Sequence, residues 1–255
     1  MVALSLSTYG QLGLDSVEHF AAYANGSLTV SNTTTINNGD LGLGPNGTAN
    51  FITTPTYNNG TYVNSGLDYV STTLISVSAN ADSLAATTNV GSRINSATTI
   101  IGNGGTNVID VGSISLNGPA HTLTLQGGPN DIFIFNVSNY ATFSGTAPAL
   151  MALSGGVETS HILFNLLNTS GSANALSVTV PNLTLYGTFI APHASMAITG
   201  SDDTIYGGVF AGGNSLSLNG STITADVFML PEPSTFALVG FSCLFGLALW
   251  PRRRR

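Results

Sequence analysis

The chain has 255 residues, of which 43% are hydrophobic and only 7% charged, against the roughly 25% charged residues of ordinary soluble domains. It contains no lysine, and before Leu230 eleven acidic residues stand against a single basic one, Arg93. A body this anionic cannot neutralise phosphates, which excludes nucleic acid as a partner, and it does not suit docking on anionic lipid.

Gly, Ser, Thr and Asn dominate the polar residues. Regular apolar alternation nevertheless runs through most of the chain, which disordered segments lack, so the body is read as folded. The single cysteine, Cys243, lies close to the C-terminus. The body therefore has no disulfides despite the oxidising location expected for it. Met1 to Gly10 has no basic start and few apolar residues, unlike a secretory signal, so the natural start is expected to lie further upstream.

The first elements are short and alternating. Ser27-Leu28-Thr29-Val30-Ser31 and Thr35-Ile36-Asn37 read as two strands, followed by a turn at Asn38-Gly39-Asp40. The stretch from Gly44 to Asn64 is rich in Pro, Gly, Asn and Thr, with Phe51, Tyr57, Tyr62 and Val63 interspersed, and suits a loop or cap packed by its own aromatics. The period then changes. Leu67, Val70, Leu74, Val77, Ala81 and Leu84 recur three and four apart, which predicts a helix from about Ser65 to Thr88, stopped by Gly91. Ser65 with Asp68 resembles a capping start, and Ser71, Thr72, Ser78 and Asp82 form the expected wet face.

After Gly91 the pattern is β throughout. Val108 to Val111, Ser113 to Leu116, Thr122 to Leu125 and Ile132 to Phe135 are brief runs separated by Gly, Pro and Asn, at a spacing that suits a β-solenoid or a sandwich. A repeat decides between them. Tyr186-Gly187-Thr188-Phe189-Ile190-Ala191 returns twenty residues later as Tyr206-Gly207-Gly208-Val209-Phe210-Ala211, and Met196, Ile198 and Gly200 fall opposite Leu216, Leu218 and Gly220. Ser113-Ile114-Ser115-Leu116-Asn117-Gly118 and Ser215-Leu216-Ser217-Leu218-Asn219-Gly220 are near copies. Matching phase over such distances is what stacked coils require.

In such coils the residues between the inward ones project outward. Ser195, Ala197 and Thr199 on one coil and Ser215, Ser217 and Asn219 on the next form a candidate binding face, small and uncharged, with Ser113, Ser115 and Asn117 on the earlier copy. His19, His121, His161 and His193 lack the spacing of metal ligands and are expected to be structural, with His193 at a coil corner. Asp202-Asp203 matches no calcium-binding pattern. No nucleophile motif, phosphate loop or paired-carboxylate motif appears, so neither enzymatic activity, metal nor cofactor is expected.

The chain closes on Leu230-Pro231-Glu232-Pro233-Ser234-Thr235, fifteen uncharged residues from Phe236 to Trp250, then Pro251 and Arg252, Arg253, Arg254 and Arg255. The span is slightly short of the roughly 20 residues of a membrane-crossing helix. The arginine run beside it acts as a stop that stays on the cytoplasmic side, which places the body outside. Residues 1–229 are thus the body, with its helix near 65–88, and 230–255 a sorting signal with a transmembrane helix. Pro231-Glu232-Pro233, apolar segment and arginine run in that order resemble the bacterial PEP-CTERM sorting signal. The resemblance implies recognition by a membrane-embedded exosortase, removal of the tail, and release or attachment of the body at the cell surface or in the extracellular matrix.

The order of parts in the body, short strands, one long amphipathic helix, then coils of β, resembles the ice-binding-like adhesin fold. Asn130 to Val137 resembles that family's run before its later coils, and His161 to Leu166 with Gly187 to Ala194 is similar to the choice-of-anchor A family. The resemblance covers roughly Phe20 to Phe228. It implies a right-handed β-helix with the helix packed alongside, a non-enzymatic surface or matrix protein, and as an alternative an adhesin binding ice or another ligand such as extracellular polysaccharide through its Ser/Thr face.

Overall fold

The alternation becomes a stack of three-sided coils. In the computed structural model, residues 12, 14, 16–118, 120–145, 151–170 and 173–229 are described. Every strand pair among them is parallel, and each coil contributes one strand to each of three sides. On the open side the strands alternate. In Ser27–Ser31, Leu28 and Val30 are buried while Ser27, Thr29 and Ser31 are partly exposed, and Ser215–Asn219 repeats the pattern.

The side facing the helix is buried on both surfaces, so its strands read as continuous apolar runs: Phe20–Ala24, Ile162–Leu166, Thr188–Ala191 and Val209–Ala211. Toward the coil interior, Phe135, Phe164 and Phe189 stack ring on ring, with centroids 4.7 Å and 4.6 Å apart. Toward the helix, Ile134, Leu163, Ile190 and Phe210 meet Val70, Leu74, Val77 and Ala81. Two buried asparagines continue this layer. Asn165 donates its amide to the Ser78 carbonyl at 3.0 Å and to Asn136 Oδ1 at 2.9 Å, while Asn136 donates to the Ala81 carbonyl at 3.0 Å. These bonds fasten the end of the helix to the sheet, and they explain why Ser78, expected on the wet face, is buried.

Chain order and spatial order differ. Along the open side the sequence of strands is Thr48–Phe51, Ser27–Ser31, Ser215–Asn219, Ser195–Ile198, Asn174–Val178, then the second halves of Ile132–Phe143 and Thr106–Leu116. The first coil therefore docks on the last, with Ala22 against Val209, Ser27 against Ser215 and Ile36 against Ile223. That splice leaves Val63 and Thr88 at opposite ends of the stack, eight strand intervals apart on the helix-facing side. At about 4.8 Å per interval the distance is about 38 Å. The 15-residue helix Asp68–Asp82 supplies about 22 Å of it, and the segments flanking it cover the remainder.

Several expectations are corrected. The helix is shorter than 65–88: Leu67 occupies the N-cap with no side-chain cap bond, so the Ser65 capping start does not form, although Asp68 does lie in the first turn. At the other end, the Thr87 N–H is taken by the Val108 carbonyl as the chain re-enters the sheet. The loop expected from Gly44 to Asn64 is a further coil, with strands Thr48–Phe51, Thr56–Asn58 and Tyr62–Val63, though Phe51 and Tyr62 do pack edge to face. The runs 108–111 and 113–116 are one bent strand, Thr106–Leu116.

The transmembrane helix is also overturned as part of this fold. Among the described residues no helix is long and apolar enough to cross a membrane. The only α-helix there is the amphipathic Asp68–Asp82, set on a curled, β-helix-like parallel sheet. The segment on which that expectation fell, 230–255, lies outside the described residues, including Pro231, Glu232, Pro233 and Arg252, Arg253, Arg254 and Arg255.

Candidate functional site

With one side covered by the helix, two sides of the coil remain for recognition. On the open side, the middle outward position of each strand lines up in register through Asn50, Thr29, Ser217, Ala197, Ser177, Thr142 and Ser115. Every side chain in this rank is small and uncharged, and neighbours are one strand spacing, about 4.8 Å, apart.

The candidate residues read from sequence divide on this surface. Ala197 and Ser217 are direct register partners at the centre of the rank. Ser215 is partly exposed, but Ser195 is 4% exposed and its Oγ accepts the Ser215 N–H at 3.1 Å. Ser195 therefore belongs to the coil corner and not to the surface. Thr199 and Asn219 form an edge rank in which the hydroxyl of Thr199 donates to the Val178 carbonyl at 3.1 Å and the amide of Asn219 donates to the Thr199 carbonyl at 3.1 Å. Ser31 extends it, donating to Asn219 Oδ1 at 3.2 Å. These bonds tie the edge rank together from coil to coil.

Thr29, Asn50, Thr142 and Ser177 were not singled out from sequence. The alternation marks each of them as outward, but only the splice of the first coil onto the last puts Thr29 and Asn50 beside Ser217.

The third side carries a feature that escaped entirely. Thr184, Thr204, Thr222, Thr35 and Thr56 stand in register, one per coil, and beside them run Tyr186, Tyr206, Thr224, Asn37 and Asn58. The tyrosine rings stack with centroids 5.9 Å apart, and Tyr206 is 41% exposed. Asn58 donates to Asn37 Oδ1 at 2.8 Å. The signal was a tripeptide, Thr, a second residue whose side chain points inward, then Tyr, Thr or Asn, scattered over five places in the chain.

Two buried carboxylates sit at corners, with opposite electrostatics. Burial pushes Asp131 up, but N–H donors from Gly128 at 2.8 Å and Gly104 at 2.7 Å and the Asn107 amide at 3.1 Å outweigh it and hold the group below the usual carboxylate range. Asp203, 1% exposed, accepts only the Leu183 N–H at 2.9 Å, and its Oδ2 is unpaired. Burial, helped by neighbouring Asp202, raises it to about 6. Neither group faces the open side's central rank.

The histidines remain apart. His161 is buried with Nε2 3.9 Å from Glu158 Oε2, His19 packs on Phe20, and His193 occupies a corner turn as expected. Among the described residues no group of three or more His, Cys, Asp or Glu could hold a metal ion. The central rank of the open side presents hydroxyls, an amide and methyls, and the open side's Arg93 stands apart from it, on the last strand of that side.

Comparison with solved structures finds the same architecture in ice-binding proteins. The one from the Antarctic ascomycete Antarctomyces psychrotrophicus is 18% identical, with a TM-score of 0.68 over 84% of this chain and 97% of that one. The one from an Antarctic Flavobacteriaceae bacterium is 19% identical with a TM-score of 0.67, over 83% of this chain and 46% of that one. The Arctic yeast protein LeIBP gives 16% and 0.65, over 87% and 96%. At these identities the likeness is one of fold. No curated protein matches the chain. A family profile does match residues 4–224, nearly the whole body. The chain belongs to the ice-binding-like adhesive domain family.

Proposed function

We propose that this protein is a non-enzymatic adhesive domain working outside the cell, and that its open side binds ice. The observation that carries the reading is the central rank of the open side, Asn50, Thr29, Ser217, Ala197, Ser177, Thr142 and Ser115, in register over seven coils. An ice surface is a periodic array of water, and a rigid face whose small groups repeat at one spacing can order many waters together. Charged side chains would hold their own hydration shells against that order. The face would comprise this rank with Ser215, Thr199 and Asn219 beside it. The membership of the chain in the ice-binding-like adhesive family supports this reading, and so do the ice-binding proteins that share its fold.

The test is ice recrystallisation and crystal shape in the presence of the purified protein. Native protein should slow recrystallisation, and Ala197→Tyr with Ser217→Tyr, which raises two rings from the flat rank, should abolish the effect. Thr204→Tyr with Thr222→Tyr on the third side should leave it unchanged. Unaltered ice growth with native protein would reject the reading.

The exposed Tyr206 and stacked Tyr186 favour a second reading, adhesion to extracellular polysaccharide through the third side, since sugar rings stack on aromatic faces and bond to amides such as Asn37 and Asn58. Retention on polysaccharide columns that falls with Tyr206→Ala, but not with Ala197→Tyr, would establish it.

For delivery, we propose processing by an exosortase at Pro231, Glu232 and Pro233, because these residues precede an uncharged apolar run and four arginines in the order of the PEP-CTERM signal. Glu232→Ala should leave the chain unprocessed in a host that carries the enzyme. Processing that continues at the native rate would reject this part.

A further inference from the structure

The two ends of the stack present matching edges. Among the described residues, Tyr62–Val63, Thr48–Phe51 and Thr56–Asn58 at one end each pair with a neighbour on one side only. At the other, Thr88–Asn89, Arg93–Ile94 and Thr98–Ile101 do the same. Each set supplies one strand to the helix-facing side, one to the open side and one to the third side, and all run in the same direction.

Unpaired edges are normally guarded by charges, inserted prolines or a covering element. Here the guards are sparse. Residues 41–67 contain no charged side chain, and their two prolines, Pro45 and Pro55, stand outside the strands; residues 83–109 contain no proline and, of charges, only Arg93. That arginine is folded back on its own body, donating to Ser113 Oγ at 3.2 Å and to Tyr140 Oη. Among the described residues, the two most exposed large hydrophobics are Ile52 at 68% and Ile101 at 67%, one at each end.

We infer that copies of this chain stack end to end, the Thr48–Val63 coil of one on the Thr88–Ile101 coil of the next. The occupant of each edge is a second copy because of the three-sided match: an isolated strand from another protein can pair with one side, whereas another parallel three-sided coil pairs with all three together. The contact joins unlike surfaces and does not close on itself, so it propagates into filaments. Each added copy lengthens the open and third sides without changing their spacing.

The experiment uses the full chain and two single variants, Ile52→Lys and Ile101→Lys, each placing a cation on one end. Sedimentation velocity over a hundredfold range of concentration should show the native mass rising several-fold, and negative-stain images should show unbranched rods of one coil's width. Each variant alone should remain monomeric. Mixed in equal amounts, they should form a discrete heterodimer, because each retains the end that the other has lost. If either variant loses its β-sheet circular dichroism, Asn58→Lys or Thr99→Lys, exposed on the same end coils, takes its place. Native protein that stays monomeric throughout, native dimers that grow no further, or variants that fail to pair on mixing would each overturn the inference.

Discussion

Asn37 donates its side-chain amide to Thr224 Oγ1 at 3.2 Å across 187 residues of chain. This bond marks the splice at which the first coil is seated on the last. It makes the C-terminal coil internal to the stack, with covered edges on both sides. A chain ending after Tyr206 would leave Phe20–Ala24, Ser27–Ser31 and Thr35–Asn37 without the partners Val209–Ala211, Ser215–Asn219 and Thr222–Thr224. Removal of residues 207–229 is expected to abolish cooperative unfolding and to leave the first two coils open to protease. A body in which only the deleted coil was peripheral would instead keep a single sharp transition, and circular dichroism during urea titration separates the two outcomes.

The splice also explains what could be read from sequence and what could not. The repeat of Tyr186 to Ala191 at Tyr206 to Ala211 is a true coil period, since Tyr186 pairs with Tyr206 and Ala191 with Ala211. The helix was visible because its apolar stripe meets one continuous surface. The five-threonine rank was not, because Thr35 and Thr56 precede the helix while Thr184, Thr204 and Thr222 follow it, and periodicity carries no information about which coil lies next to which. Ser195 departs from the alternation for a related reason. Alternation places it outward, but the corner turns it inward to accept the Ser215 N–H. The near copies beginning at Ser113 and Ser215 do share the open side, although they are not adjacent.

Phe164 lies between Phe135 and Phe189 with rings nearly parallel, 12° from one and 4° from the other. It contacts partners on both sides along the stack and is fully buried. Phe164→Ala should therefore cost about 3–5 kcal/mol, the range for a large core truncation whose surroundings cannot collapse. Phe164→Leu should cost less because it leaves a smaller void. Chemical denaturation monitored by circular dichroism gives both values, and equal losses for the two variants would show that the void is not what sets the cost.

Asp203 and Asp131 should give opposite pH signatures. Asp203 is raised to about 6 by burial, so the folded state holds its proton more tightly than the unfolded state does. Its contribution is most favourable in acid and is lost as pH rises from the ordinary carboxylate range through 6. Asp203→Asn should flatten that decline and stabilise the protein at pH 7 by up to about 3 kcal/mol. Asp131 is held low by its donors, so its contribution is present at neutral pH and is lost as pH falls through the folded value. Asp131→Asn should destabilise at pH 7 and have less effect in acid. Urea midpoints between pH 3 and pH 8 test both signs, and a native midpoint independent of pH from 4 to 6 would rule out the Asp203 assignment.

The glycines of the repeated Tyr-Gly pair have a conformational cause. Gly187 has φ +103° and Gly207 φ +143°, at the corner where the chain leaves the third side for the helix-facing side. A Cβ on Gly187 would lie 2.7 Å from Ile162 Cβ and 2.8 Å from the Ile162 carbonyl oxygen, so backbone as well as side chain blocks it. Two penalties then act together: a left-handed backbone unfavourable for L-residues by about 1–2 kcal/mol, and overpacking of about 1–3 kcal/mol. Gly66 also has a positive φ, +70°, but nothing lies within 4 Å of its Cβ position. Gly66→Ala should therefore incur only the backbone penalty, and Gly187→Ala should lower the thermal midpoint clearly more. If the two variants melted together, the close approach of Ile162 would not be what fixes glycine in the repeat.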